Sequence, residues 1–290
     1  MVVPNQARDG VVGAAYTDKG DKTEWFTPKL RDLQGGLDKM LGAGNARKCI
    51  EAILTLPRGT EPKKLPLIVM PHGGPYARDS EQYDWWVQYL GAQGYAVVQP
   101  NCRGSTGYGT AFQGLGEGQW GTGMQDDLLD AVKWLAGEGI ADPRRVSSSA
   151  PPLAAMPRCA GPNATARPIA ARCRSRGVSG LSGMMRYDRK FLQNAKFSNS
   201  YWKKQAPDST AVSPQVHATE FGIPILLVHG DKDKRVPVSQ SNAMAEQLRL
   251  AGKPYQFIEQ LLADRHFSRE ADRLEFLKAM KAFLDRYNPS

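Results

Sequence analysis

Cysteine and histidine are scarce in this 290-residue sequence, with four of each. Cys49, Cys102, Cys159 and Cys173 lie far apart, without the close-paired spacing of a thiolate metal site, and read as free thiols. There is no His-x-x-x-His pair and no glycine-rich phosphate loop, so neither a metal nor an organic cofactor is implied. No apolar run approaches the roughly 18 residues of a membrane span, and no membrane partner is expected. The start, Met1 to Gly10, lacks the basic and apolar regions of an export signal, so the expected compartment of the chain as written is the cytoplasm. A net charge of +9 points at first to nucleic acid. The basic residues are not interleaved with aromatics as in single-strand binders, so nucleic acid is not an expected partner.

A further absence is local. Residues 147–176 hold no Asp, Glu, Lys or aromatic residue, but five Pro and five Arg. Much of the basic excess sits there, in Arg158, Arg167, Arg172, Arg174 and Arg176. Such a composition suits neither a core strand nor a helix.

Elsewhere the chain is ordinary, 41% hydrophobic and 23% charged, with length enough for one large α/β domain and a small appendage. Residues 11–26 read as two short strands around an Asp-Lys-Gly-Asp turn, and 27–41 has the leucine spacing of a helix. Strands are expected at 49–57, 95–101 and 254–260, and within 65–75 and 222–237, where each runs into a turn. Helices are expected at 80–94, 123–139, 239–252 and 271–288. Buried strands alternating with amphipathic helices predict an α/β fold, with a mostly parallel, doubly wound sheet and helices on both faces.

In such sheets ligands sit beyond the carboxyl ends of the strands, so the loops there carry the candidate residues. "PHGGP" places His72, Gly73 and Gly74 after a buried strand, where paired glycines let backbone N–H groups approach an oxyanion. "HGDKDKRVP" offers Asp231 and Asp233 as acids able to orient a histidine. "LADRHFSR" places His266 in the loop before the last helix, positioned as a general base. Asp before His is the second half of the order Ser…Asp…His.

Taken together, "LPLIVMPHGGP", "GYAVVQPNCRGSTGYG", "WGTGMQDDLLDAVKWL", "PILLVHGDKDKRVPVSQS" and "ADRHFS" resemble the catalytic domain of the prolyl oligopeptidase family of serine peptidases. Its acylaminoacyl-peptidase and dipeptidyl-peptidase-like branch is the most similar. The resemblance covers most of 50–145 and 178–290. It implies an α/β-hydrolase fold and cleavage of peptide or related ester bonds through an acyl-enzyme, on a peptide or small acyl substrate. By position it implies Asp233 as the orienting acid, His266 as the base, and the His72–Gly73–Gly74 turn at the oxyanion. Alternatives on the same scaffold are a carboxylesterase and a non-catalytic peptide-binding protein. The domain reading is a propeller-side remnant over 1–48 and a hydrolase domain over 49–290.

That family places its nucleophile on Gly-x-Ser-x-Gly. No such motif occurs here, and neither Ser179 nor Ser182 has glycine at both flanking positions two residues away. The serine is expected near Pro151 and Pro152, inside the aberrant 147–176 segment. Ser148–Arg158 can be encoded so that a one-base shift reads Ile-Val-Gly-Ala-Ser-Leu-Gly-Gly-Tyr-Ala-Ala, the missing elbow. The same shift over Pro168–Arg176 permits Pro-Asp-Arg-Cys-Ala-Val-Ser-Phe-Ala-Gly, a buried strand. Compensating frameshifts are therefore the expected origin of the segment, and poor folding and inactivity its expected consequences.

Overall fold

Ten strands form two sheets among the described residues of the computed structural model, which are 2–4, 11–17, 21–25, 50–74, 76–150, 171–175, 177–190 and 195–290. β1 (Val2–Pro4), β2 (Val11–Thr17) and β3 (Asp21–Trp25) make a three-stranded antiparallel sheet. The two strands expected over 11–26 are there, with β1 added. The helix expected over 27–41 and most of the 1–48 segment lie outside the described residues.

The main sheet contains β4 (Ala52–Thr55), β5 (Leu65–Val69), β6 (Ala96–Pro100), β7 (Ala141–Ala150), β8 (Ala171–Ser175), β9 (Ile225–Gly230) and β10 (Tyr255–Gln260). Its order is β10-β9-β8-β7-β5-β6-β4, and every neighbouring pair is parallel except β4 with β6. β5, β6 and β9 are buried at every position, as their unbroken apolar runs require of strands covered on both faces.

Helices cover the two faces as amphipathic spacing predicts. α1 (Trp85–Ala92) and α7 (Glu270–Tyr287) pack Trp86, Leu90, Phe276 and Met280 against Ile68, Val97, Leu226 and Val228. On the other face α3 (Gly123–Gly137) packs Leu128, Val132 and Leu135 against Leu67, Val69 and Val146. There α6 (Ser239–Leu250) packs Met244 and Leu248 against Ile225 and Leu227. α1 begins later than its periodicity predicts because Asp84 caps it, accepting from Trp86 N at 2.8 Å and Val87 N at 3.2 Å. α2 (Gly109–Gly114), α4 (Leu181–Asp188) and α5 (Ala195–Gln205) were not legible as helices.

Two central strands correct the sequence expectation. Residues 147–150 and 171–175 are strand, despite a composition that argues against it. Ser147–Ala150 pairs in register with Ala171–Arg174, and β8 in turn pairs with β9. The apolar neighbours β5 and β9 dictate the conformation of what lies between them, a tertiary override of local preference.

The override leaves strain of a chemical kind. Ser147 and Ser149 are buried in β7 with hydroxyls that find no hydrogen-bond partner. Each stranded hydroxyl costs about 1–3 kcal/mol. In β8, Arg172 and Arg174 stand in backbone register with Ile225 and Leu227. The shifted reading replaces them with Ala and Ser. Arg172→Ala with Arg174→Ser is expected to raise the melting temperature by roughly 5–10 °C. A calorimetric or circular-dichroism melt measures this, and an unchanged or lower midpoint contradicts it.

Candidate active site

β5 has β6 on one side and β7 on the other, so the chain order reverses between β5 and β7. Such a switch opens a crevice beyond the carboxyl ends of those two strands. The loop after β5 carries His72, Gly73 and Gly74. The expected nucleophile position at Pro151 and Pro152, next in sequence after β7, lies outside the described residues.

His72 is held rigidly. Its Nε2 lies 2.8 Å from Ser105 Oγ and its Nδ1 lies 3.0 Å from Gly73 O. Ser105 is fully buried and donates its hydroxyl to Cys102 O at 2.6 Å. This Ser–His pair is a clamp, because the serine is sealed from substrate and its proton is committed. Gly74 has φ +148, and a Cβ there would meet Tyr76 N at 3.1 Å and Ala77 N at 3.2 Å. Only glycine lets the chain turn so tightly at this point.

The Ser105 loop is fastened from below. Asp127 of α3 accepts from Arg103 N and Nε, each at 2.9 Å, and pairs with Arg103 Nη2. Beside the loop, Asp79 and Asn101 exchange hydrogen bonds, from Asp79 N to Asn101 Oδ1 and from Asn101 Nδ2 to Asp79 O. Burial pushes the Asp79 carboxyl above its usual range, with His72 opposing and Asp84 assisting. A cavity of about 230 Å³ opens here, lined in part by Met70, His72, Asp79, Trp85, Gln99 and His266.

The structure separates the two candidate acids. Asp231 accepts from Leu262 N at 2.7 Å and from Lys232 Nζ at 2.8 Å. Lys232 holds its carboxyl below the usual range, so Asp231 serves the turn after β10. Asp233 is completely buried. Its Oδ1 accepts from Arg235 N at 2.8 Å and Val236 N at 2.9 Å, while its Oδ2 accepts no hydrogen bond. A buried carboxylate with one oxygen fixed and the other open has the form of an orienting acid.

His266 does not meet that open oxygen. It is exposed, and it forms neither an ion pair nor a hydrogen bond with Asp233. Its backbone N donates to Asp264 Oδ1, and its ring lines the cavity with His72 and Asp79. The loop residue that forms an ion pair with the acid is Arg265, whose Nη1 lies 3.7 Å from Asp233 Oδ2. Adjacency to the histidine is the only mark Arg265 carries in the sequence. His229 is also near, with Nε2 at 3.8 Å from the same oxygen, but that nitrogen donates to Val236 O and Nδ1 faces Ser241 Oγ. His229 is thus a buried structural histidine. Ser179 is likewise committed, its hydroxyl donating to Gln240 O at 2.5 Å.

The acid and the loop are brought together by a close approach that requires Gly230. A Cβ there would lie 2.2 Å from Ala263 O and 2.7 Å from Ala263 C. Gly230→Ala must push the backbone of the 263–267 loop away from Asp233. It is expected to cost about 3 kcal/mol and lower the melting temperature by roughly 6 °C or more. A thermal melt equal to that of the parent chain would contradict this packing.

The free thiols expected from the sequence are found at Cys102 and Cys173, both buried. No group of His, Cys, Asp and Glu among the described residues could hold a metal ion.

Comparison with known proteins shows the family and the fold. The sequence profile of the prolyl oligopeptidase family matches residues 81–149 and 171–289. Dipeptidyl aminopeptidase BIII of Pseudoxanthomonas mexicana is 28% identical over 257 residues, covering 83% of this chain and 37% of its own length. A puromycin-hydrolyzing peptidase of Mycobacterium tuberculosis superimposes with a TM-score of 0.71 at 24% identity, over 82% of this chain and 37% of that one. An acylaminoacyl peptidase in complex with Z-Gly-Gly-Phe-chloromethyl ketone gives a TM-score of 0.70 at 22% identity, over 83% and 40%. These structures have the α/β-hydrolase fold expected from the sequence. The chain therefore spans little more than a third of these relatives. The profile breaks off at 149, at the end of β7, and resumes at 171, at the start of β8. With well over half of its residues in that match, the chain belongs to the prolyl oligopeptidase family.

Proposed function

We propose that the chain carries the scaffold of a serine peptidase that cleaves peptide bonds through an acyl-enzyme, and that as written it is disabled. The observation that carries the reading is Asp233, a buried acid beyond the parallel strand β9 with one carboxylate oxygen still open. The relatives named dipeptidyl aminopeptidase and acylaminoacyl peptidase support peptides or small acyl groups as substrates.

In the working form a serine at the turn after β7 attacks the carbonyl carbon. An imidazole oriented by Asp233 takes the hydroxyl proton and returns it to the leaving amine. Backbone N–H groups at Gly73 and Gly74 face the oxygen on which charge develops. The scheme uses no cofactor.

The disabling lesion is the missing nucleophile. A base and an acid without it form no acyl-enzyme, and loss of the serine from a well-studied triad costs about 10⁶-fold in rate. The interruption of the family match at the end of β7 supports a lesion placed there.

The test is to replace Ser148–Arg158 by the shifted reading, with and without an imidazole at position 265, and expose each chain to a fluorophosphonate. Labelling that appears on repair supports the reading. Labelling of the unrepaired chain contradicts the lesion, and no labelling in any repaired variant that melts cooperatively sinks the peptidase reading.

A further inference from the structure

We propose that position 265, not 266, is the place of the general base in this fold, and that Arg265 occupies it. This rests on the peptidase reading and names a second lesion in the same site. The open oxygen of Asp233 faces one group of the loop after β10, the Arg265 guanidinium at 3.7 Å. Both facing atoms, Asp233 Oδ2 and Arg265 Nη1, are buried and make no hydrogen bond. The distance is too long for a hydrogen bond, so the pair is charge-matched without being geometrically matched. Burial lowers the proton affinity of Arg265, with Asp233 opposing. Even so, a guanidinium stays protonated in proteins and cannot accept a proton from a serine.

The loop is built so that 266 does not exchange with 265. Asp264 closes the turn by accepting from His266 N, Ser268 N and Ser268 Oγ. Phe267 follows with φ +49, and its ring is fully buried against Phe276 at 5.2 Å between centroids. Moving the backbone so that 266 takes the place of 265 would break the bonds that Asp264 accepts and displace Phe267 from that stack. His266 instead stands in the cavity beside His72 and Asp79.

The first arm of the test is an NMR titration of imidazole groups in the full chain carrying Arg265→His, with and without Asp233→Asn. The added imidazole is expected to titrate about 1–2 pH units above an unpaired histidine, because a neighbouring carboxylate favours the charged ring. That shift is expected to vanish with Asp233→Asn, while His266 does not respond. A His266 resonance that moves with Asp233→Asn while the added ring does not would overturn the proposal.

The second arm uses the elbow-repaired chain. Arg265→His is expected to accelerate its fluorophosphonate labelling by about 10²–10⁴-fold. Full labelling without Arg265→His, abolished by His266→Ala, would also overturn the proposal. If neither repaired chain labels, the peptidase reading fails and the titration alone decides which position faces the acid.

Discussion

Restoring the elbow and the base together is expected to raise reactivity toward a fluorophosphonate by at least about 10⁴-fold over the chain as written. The size follows from the way such groups act as a unit. A serine without a base is an ordinary alcohol at neutral pH, and a base without a serine has nothing to activate. Repair of Ser148–Arg158 alone supplies the hydroxyl but leaves Asp233 against a guanidinium. Arg265→His alone supplies an oriented imidazole with no nucleophile. The gain therefore falls on the double repair, and the single repairs should sum to far less. The repair also acts on folding, because the shifted frame puts Ile and Val at 148 and 149, where Ser149 now buries an unpaired hydroxyl. Labelling and a melting curve on the same four proteins separate the two effects. Equal labelling of the elbow-only and doubly repaired chains would show that the acid needs no partner at 265.

Asp127→Ala is expected to cost about 3–5 kcal/mol, lowering the melting temperature by roughly 10 °C or more. Asp127 is nearly inaccessible, with 3% side-chain exposure against 16% for Arg103. Removing it strands a guanidinium that has already left most of its water. It also removes the acceptor of the Arg103 backbone N–H, so the turn that carries Ser105 loses its anchor. His72 leans on Ser105, hence the damage should travel to the crevice. The pH sign follows from Arg103, whose affinity for its proton is raised mainly by the Asp127 hydrogen bond. That stabilisation is fully present below the ordinary arginine range and fades only above it, so the loss in Asp127→Ala should be constant across neutral pH. Denaturant unfolding at several pH values checks both points. A loss below about 1 kcal/mol, the value of an exposed pair, would show that the bridge is not buried in solution.

The strands that carry the crevice were legible because burial on both faces writes itself as an unbroken apolar run, as in Leu65–Val69 and Ile225–Gly230. β7 and β8 were not legible, because their place is imposed by those neighbours and their own residues oppose it. Place after a strand narrowed the acid to Asp231 or Asp233, and the family resemblance singled out Asp233. The physical reason is in the turn after β10, where Leu262 N captures Asp231. The base was harder still. Arg265 and His266 are adjacent, and which one faces inward depends on Asp264 closing the turn and Phe267 reaching the core. No periodicity in the chain expresses that choice.

Arg265 beside Asp233 has a genetic consequence. A CGC arginine codon becomes a CAC histidine codon by one transition, whereas the lesion after β7 asks for shifts of reading frame. Neither event produces the other. On the proposed reading the two lesions are independent, and repair of the chemistry requires both to be reversed.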